Sequence, residues 1–430
     1  MSLRILLASD HYPPFIGGAH RQTQLLAHEL HMRGHDVSVV TVWHGGLPEF
    51  EDEDGVRVYR LRQLRTMISS LVRDSRQRHQ PPFPDPVTTQ SLRRLIERLK
   101  PDIVHSYGWF SYSVALALLG KDIPLLISAR DYGYSCANRT LLRGGEVCSG
   151  PQLLKCLRCS AGHYGVPKGW LAALGVRASL PLVRGKVSGI HSISTYVQDM
   201  MQRDFWVGAG SSHVVQRVIP SFREDDDATS AADLEPYLRQ LPLEPYILFV
   251  GALRQEKGVA QLLSAYQQSG TSVPLVLIGT VERDTPRTFP AGVRVLQNFP
   301  HSAVMAAWAR SLFGVVPSLW PEPLGSVVYE GMSQGKAVIG TRPGGHTDMI
   351  IDQKTGFLVP PGDVAALADA MRRLLDEPGL RESLGQAGRE RAQQFTARVA
   401  VPEFERLYYQ LVGRQSDAEA TAHYQSANGS

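Results

Sequence analysis

Over residues 4–42 the chain runs strand, glycine-rich loop, helix, strand, and the same order restarts at Tyr246. "RILLAS" is an apolar run of strand length, and "DHYPPFIGG" is a loop made of proline and glycine. "AHRQTQLLAHELHMRG" then sets Leu25, Leu26, His28 and Leu30 at helical spacing and stops at Gly34, before the strand "DVSVVTV". Strands joined through helices pair in parallel, so this order predicts a doubly wound sheet covered on both faces. The restart at "YILFVGALRQEKG" predicts a second sheet of the same kind, continued by "VPLVLIG", "VRVLQ", "LFGVVPS", "KAVIG" and "GFLVPPG". At 430 residues the chain is also too long for one core.

The expected organisation is a first α/β domain over 1–220 and an acidic, proline-punctuated linker over 221–243. A second α/β domain follows over 244–398, then a closing helix over 399–414 and a polar, disordered tail over 415–430. Two Rossmann-like domains facing a cleft place ligands at the carboxyl ends of their strands. The closing helix is expected to cross back to the first domain.

Composition excludes more than it assigns. Hydrophobic residues at 43% and charged residues at 20% are those of a water-soluble globular protein. A net charge of +4 is too small to argue for nucleic acid, and aromatic and basic residues do not alternate along a sheet face. The N-terminus fits neither a signal peptide nor a membrane anchor, and there is no apolar run of about 18 residues. The expectation is a cytoplasmic protein, with a peripheral seat at the inner membrane face left open.

The most informative stretch is "PSLWPEPLGSVVYEGMSQGKAVIG", where Glu322 and Glu330 flank a predicted helix start near Gly325. The amides of Leu324, Gly325, Ser326 and Val327 would form a phosphate cradle there. Carboxylates on either side would repel phosphate, but they accept well from vicinal hydroxyls. Hydroxyls, then phosphates, then hydroxyls again describe a sugar nucleotide.

With these residues on the page, the chain resembles a retaining glycosyltransferase of the GT-B fold, family 4 (glycosyl transferases group 1), over nearly its whole length. The likeness rests on "PFIGGA" with "RGHDVSVVT", "PDIVHS", "FVGALRQEKGV", the E-x7-E pair, "GTRPGGHTDMI" and "TGFLVPPGD". It implies that Glu330 binds the nucleotide ribose, Glu322 the transferred sugar and the Leu324 to Val327 amides the diphosphate. Lys257 stands where the family has its lysine, but the usual arginine is Ala252, and Arg254 is expected to substitute. The likeness further implies a front-face reaction that needs no cofactor. The donor is a UDP-, GDP- or other nucleotide sugar, and the acceptor is a hydroxyl.

In the first domain, Gly17 and Gly18 close the first loop at a helix start and are expected to let backbone approach the donor phosphate or the acceptor, with an ordinary tight turn as the alternative. His105 ends the strand "DIVH", Tyr107 occupies the position of a frequent family histidine, and Asp131 follows "PLLIS" with Arg130 in place of a histidine. These three are the expected acceptor-side residues, with a plain turn cap as the alternative for Asp131. The acidic runs "EDEDG" and "EDDD" read as solvated charge rather than as metal ligands.

Every cysteine lies in an insertion over about 131–165: Cys136, Cys148, Cys156 and Cys159, ending in C-x-x-C. The spacing suggests a structural zinc site, with His163 able to replace one ligand. Free or paired thiols and an iron–sulfur cluster remain open. From Glu146 to Asp199 there is no intervening acid, yet Lys155, Arg158, Lys168, Arg177, Arg184 and Lys186 are present around "GWLAALGVRASLPLVRG". That helix either meets anionic lipid or a phosphate-bearing acceptor, or packs its apolar side on the sheet. Two other functions compete. A dinucleotide-dependent oxidoreductase would need G-x-G-x-x-G, which "GGAHRQ" lacks. A non-catalytic sugar-nucleotide-binding subunit is kept in play by Ala252 and Tyr107.

Overall fold

The computed structural model describes residues 2–10, 12–13, 18–64, 80–206, 213–223 and 231–413. Gly17, the "EDDD" run and the tail after Gly413 lie outside the described residues. The chain forms two compact units. One takes the described residues of 1–141 and 148–220 together with Ala397–Gly413; the other takes Leu142–Val147 and the described residues of 221–396.

The first unit is built on an eight-stranded sheet. Its strands are β1 (Arg4–Ala8), β2 (Asp36–Val42), β3 (Phe50–Glu53), β4 (Val56–Leu61), β5 (Ile103–Tyr107) and β6 (Leu125–Ala129), then β9 (Val187–Ser192) and β10 (Val215–Val218). Between β6 and β9 the insertion carries the small hairpin β7 (Leu142–Arg143) and β8 (Glu146–Val147). The order β10-β9-β6-β5-β1-β2-β4-β3 is parallel except at the edge, where β3 pairs antiparallel with β4. Leu7 of β1 sits between Val39 and His105 in register, and the central strands are buried on both faces, which is why they read as continuous apolar runs. Helix Pro86–Leu99 starts on an Asp85 cap that accepts from the Thr88 amide at 2.8 Å, with proline in its first turn. The closing helix Ala397–Val412 belongs to this unit and packs on helix Gly18–Met32 and on β5.

The second unit has six parallel strands: β11 (Ile247–Val250), β12 (Leu275–Ile278), β13 (Val293–Leu296), β14 (Phe313–Val315), β15 (Ala337–Thr341) and β16 (Phe357–Val359). Their order, β13-β12-β11-β14-β15-β16, is the 3-2-1-4-5-6 winding of a Rossmann sheet. Ile247, Phe249, Leu275, Leu277, Phe313 and Ile339 pack under Leu367, Met371 and Leu374 of helix Val364–Asp376 on one face. Leu248, Val276 and Ile278 pack against Trp308 of helix His301–Arg310 on the other. The stretch 221–243 is not bare linker: helix Ala231–Leu238 lies within it, and Tyr237 meets Phe299 at 5.3 Å between ring centroids.

In each unit the winding reverses once, at β1/β5 in the first and β11/β14 in the second. The loops that leave those strands splay apart, and the space they open is where a doubly wound sheet takes its ligand.

Candidate active site

In the second unit the two loops at the reversal are 251–258 after β11 and 316–326 after β14. The first ends in a single 3-10 turn, Gln255–Lys257, closed by Gly258 at φ 73°. A Cβ on Gly258 would stand 2.0 Å from the Pro317 carbonyl oxygen, so only glycine lets the two loops touch. That contact delivers Lys257 to Glu322. The Lys257 ammonium donates to Glu322 Oε1, which also accepts from Ser318 Oγ at 2.9 Å, and the lysine lies 5.4 Å from the Trp320 ring centre.

Glu322 is 5% exposed. Burial works to raise its pKa, but Lys257, His346 and the hydrogen bonds from Lys257 and Ser318 outweigh it and hold the carboxyl below its ordinary value. His346, from the loop after β15, completes the group. Its Nδ1 accepts from the Thr341 amide at 3.1 Å, which puts the proton on Nε2, and Nε2 has no hydrogen-bond partner among the described residues. Burial above all pushes His346 down to about 4; Glu322 acts upward and Lys257 downward. The ring is therefore a neutral donor, buried and unpartnered. It lies against Gly325, which sits at φ 81° and whose Cβ would be 2.6 Å from Nε2.

Glu330 lies in helix Val327–Ser333, and the helix starts at Val327 with Ser326 as cap, two residues later than expected from the sequence. The Glu330 side chain is near His301, with Nε2 3.6 Å from Oε1. Leu324, Gly325, Ser326 and Val327 form the turn between the two glutamates, and the Gly345 amide donates to the Glu322 carbonyl at 2.7 Å to fix that turn.

At the reversal in the first unit, Asp10 follows β1, Gly108 and Trp109 follow β5, and Asp131 follows β6. Asp131 accepts from the Gly133 amide at 2.8 Å and from Arg139 Nε at 2.8 Å, so it is both a turn cap and one half of an ion pair. Arg139 comes from the cysteine-bearing insertion and lies 5.4 Å from the Trp109 ring centre. Asp10 is buried with neither carboxyl oxygen hydrogen-bonded among the described residues, and burial pushes it up to about 7; Arg139 acts downward and Asp131 upward. Tyr112, also buried, leaves its hydroxyl unpartnered.

Two family profiles cover most of the chain: Glycosyl transferase 4-like domain over 17–217 and Glycosyl transferases group 1 over 239–391. The chain belongs to the group 1 glycosyltransferases. Glycogen synthase of Mycobacterium tuberculosis is 26% identical over 424 residues, covering 90% of each chain. The glycosyltransferase also shares its fold with sucrose-phosphate synthase from Thermosynechococcus elongatus, with a TM-score of 0.70 and 19% identity over 95% of this chain and 99% of that one. Anabaena Alr3699/HepE in complex with UDP-glucose matches with a TM-score of 0.66 and 17% identity over 95% and 100%. The architecture is GT-B.

Several expected site residues stand elsewhere in this glycosyltransferase. Arg254 does not join Lys257. It caps the 3-10 turn in an extended conformation, half-exposed, and donates to Glu256 Oε1 at 3.2 Å. His105, expected on the acceptor side, is wholly buried, with Nδ1 2.7 Å from the Tyr408 hydroxyl and Nε2 2.6 Å from Ser128 Oγ. Ser128 continues to His191 Nδ1 at 2.7 Å, and His191 Nε2 to the Ile219 carbonyl at 2.7 Å. This chain of bonds ties β5, β6 and β9 to the closing helix. Tyr107 stacks on His105 at 4.5 Å between ring centroids and is likewise interior. Gly18 begins helix Gly18–Met32.

None of the four cysteines is in a disulfide, and among the described residues no group of three or more His, Cys, Asp or Glu side chains stands close enough to hold a metal ion. Cys159 Sγ accepts from Asn138 Nδ2 at 3.3 Å, Cys148 Sγ lies 3.6 Å from the Gly150 carbonyl, and burial raises Cys136. The donor set does not fit the expected zinc. Sequence reasoning passed over His346 and Asp10. His346 lies inside the quoted "GTRPGGHTDMI" and Asp10 inside "DHYPPFIGG", and each is singled out by burial without a partner rather than by spacing.

Proposed function

We propose that the protein transfers a sugar from a nucleotide-sugar donor to a hydroxyl of a glycan, a lipid-linked glycan or a small molecule, with retention at the anomeric carbon. The observation that carries this reading is the Glu322–Lys257–His346 group at the reversal of the second sheet. An ionised, buried carboxylate accepts from sugar hydroxyls. The ammonium beside it meets the negative charge that gathers on the departing diphosphate. His346 adds a neutral N–H donor that takes up no proton at neutral pH. With Arg254 turned to Glu256, leaving-group charge falls to Lys257, His346 and the backbone amides around Gly325.

In the front-face route the bond from the anomeric carbon to the diphosphate oxygen breaks while the acceptor oxygen bonds to the same face. The departing phosphate oxygen takes the acceptor proton, so a nucleoside diphosphate and a glycoside result. The positive charge this route needs is supplied by the chain itself, which supports a metal-independent reaction. UDP-glucose in the Anabaena neighbour makes uridine donors the first to try, with GDP-sugars beside them.

The test is release of nucleoside diphosphate from UDP- and GDP-sugars, alone and with hydroxyl acceptors. Glu322→Ala should cut turnover by about a hundredfold or more while the protein stays folded. Donors that raise the melting temperature of the wild type without any turnover would replace this reading with a non-catalytic sugar-nucleotide-binding subunit.

A further inference from the structure

Helices Leu153–Tyr164 and Val166–Lys186 form an antiparallel pair in the first unit, and the longer one is built inside out. Its inner face is small: Gly169, Ala172, Ala173, Gly175, Val176 and Ser179 are buried. A Cβ on Gly169 would stand 2.3 Å from the Ser160 carbonyl, and one on Gly175 would stand 2.9 Å from the Pro82 carbonyl, so the helix sits down on backbone. Three of the large apolar side chains point the other way, while Val183 is buried and Leu180 and Leu182 are half-buried. Trp170, Leu171 and Leu174 are 49%, 57% and 47% exposed, on the face that continues to Arg177, Ala178 and Pro181 at helical spacing. At the neighbouring helix ends, Leu154 is 69% and Val166 53% exposed. Of the two alternatives for this helix, packing its whole apolar side on the sheet does not hold, since a helix with solvent on its outer side carries polar residues there.

The charges carried by these two helices have one sign. Lys155, Arg158, Lys168 and Arg177 are exposed wholly or in part, and no acid occurs between Glu146 and Asp199 to pair with them. Arg184 and Lys186 turn inward, to the Phe205 ring and the Lys121 carbonyl, and take no part. Among the described residues no helix is long and apolar enough to cross a membrane.

We propose that the outer face of this helix pair is a docking surface for an anionic lipid bilayer, with Trp170, Leu171 and Leu174 entering the interface and the cations around them meeting lipid phosphates. A tryptophan with two leucines, on a helix pair that carries basic residues and no acid of its own, matches the depth and charge of a headgroup layer. A protein partner of mixed surface charge would not select against every acid over this span. The inference does not depend on the donor chemistry.

Flotation of the full chain with vesicles tests it. The wild type should bind vesicles containing about 30% phosphatidylglycerol and not pure phosphatidylcholine, and high salt should weaken the binding. Trp170→Ser, Leu171→Ser and Leu174→Ser combined should lower the bound fraction about tenfold or more, because the apolar insertion is lost. Nucleoside diphosphate release in solution should be unchanged by that triple variant, so failure of the proposed function and failure of this inference are read separately. No binding by the wild type, or equal binding by the triple variant, overturns the proposal. So does light scattering that shows a wild-type dimer which the triple variant dissociates, because the face would then be a subunit contact.

Discussion

Asp10 gives the sharpest test of how the first unit is put together. It stands at the reversal of the sheet, 6% exposed, with both oxygens unpartnered and Oδ2 3.3 Å from where a Gly108 Cβ would be. Burial raises it from the ordinary 3.8 to about 7; Arg139 acts downward, Asp131 upward, and the Gln80 backbone lowers it a little without closing a hydrogen bond of ordinary geometry. A carboxyl whose native pKa lies above its unfolded value binds more protons folded than unfolded. Its contribution therefore lowers stability as pH rises from the unfolded value to the native one, and is level above that. A shift of about 3 units corresponds to a penalty of ~4 kcal/mol, fully present above pH ~7, of which about 2 kcal/mol falls between pH ~5 and pH ~7. Asp10→Asn keeps the shape and removes the titration. The stability of the variant relative to wild type should thus improve by about 2 kcal/mol between pH ~5 and pH ~7, whatever constant offset the amide introduces. Urea unfolding followed by tryptophan fluorescence at both pH values measures the difference, and all other titrations cancel in it. If the gap between variant and wild type does not move with pH, Asp10 is ionised in the native state, and the reasoning from its burial is wrong.

Gly325→Ala forces an L side chain into a left-handed conformation and against His346 Nε2. It should cost ~1–3 kcal/mol of stability and weaken donor binding, read by thermal melting with and without UDP-sugar. Tyr408→Phe removes the 2.7 Å partner of His105 Nδ1 in a sealed interior, leaving that nitrogen only the Tyr107 hydroxyl at 3.4 Å, and should cost ~1–3 kcal/mol in urea unfolding. Turnover by the folded Tyr408→Phe protein should stay at the wild-type level; a selective loss of acceptor affinity would return His105 to the acceptor side.

The sheets were legible because a strand buried on both faces reads as an unbroken apolar run, and the helices between such runs leave no choice but parallel pairing. "ILFV", "LVLI" and "AVIGT" needed no other signal. The Glu322–Lys257 contact was legible only in part. Each residue stood out in its own loop, but what joins them is the close approach of Gly258 to the Pro317 carbonyl, and a lone glycine does not announce that. Arg254 shows the opposite failure. Two residues from Ala252, it looked able to reach the same place, but the single 3-10 turn sends it to Glu256.

His105, the cysteines and His346 share one physical reason for being misread or missed. A polar residue is functional or structural according to what stands opposite it, and that partner is often remote in sequence. His105 meets Tyr408, 303 residues away, which turns a strand-end histidine into a satisfied interior bond. The C-x-x-C of Cys156 and Cys159 invites a metal. Both sit on helix Leu153–Tyr164, however, and Cys159 takes its hydrogen bond from Asn138. His346 is the converse case: Thr341 satisfies Nδ1 from five residues away and nothing satisfies Nε2, beside an ionised glutamate. A buried N–H left without a partner costs ~1–3 kcal/mol, so a neutral imidazole kept in that state next to Glu322 and Lys257 is best explained by a ligand oxygen that completes it. His346→Ala should therefore raise the KM for the donor more than it lowers thermal stability. The reverse result would make the ring a packing residue and leave Lys257 alone to meet the leaving group.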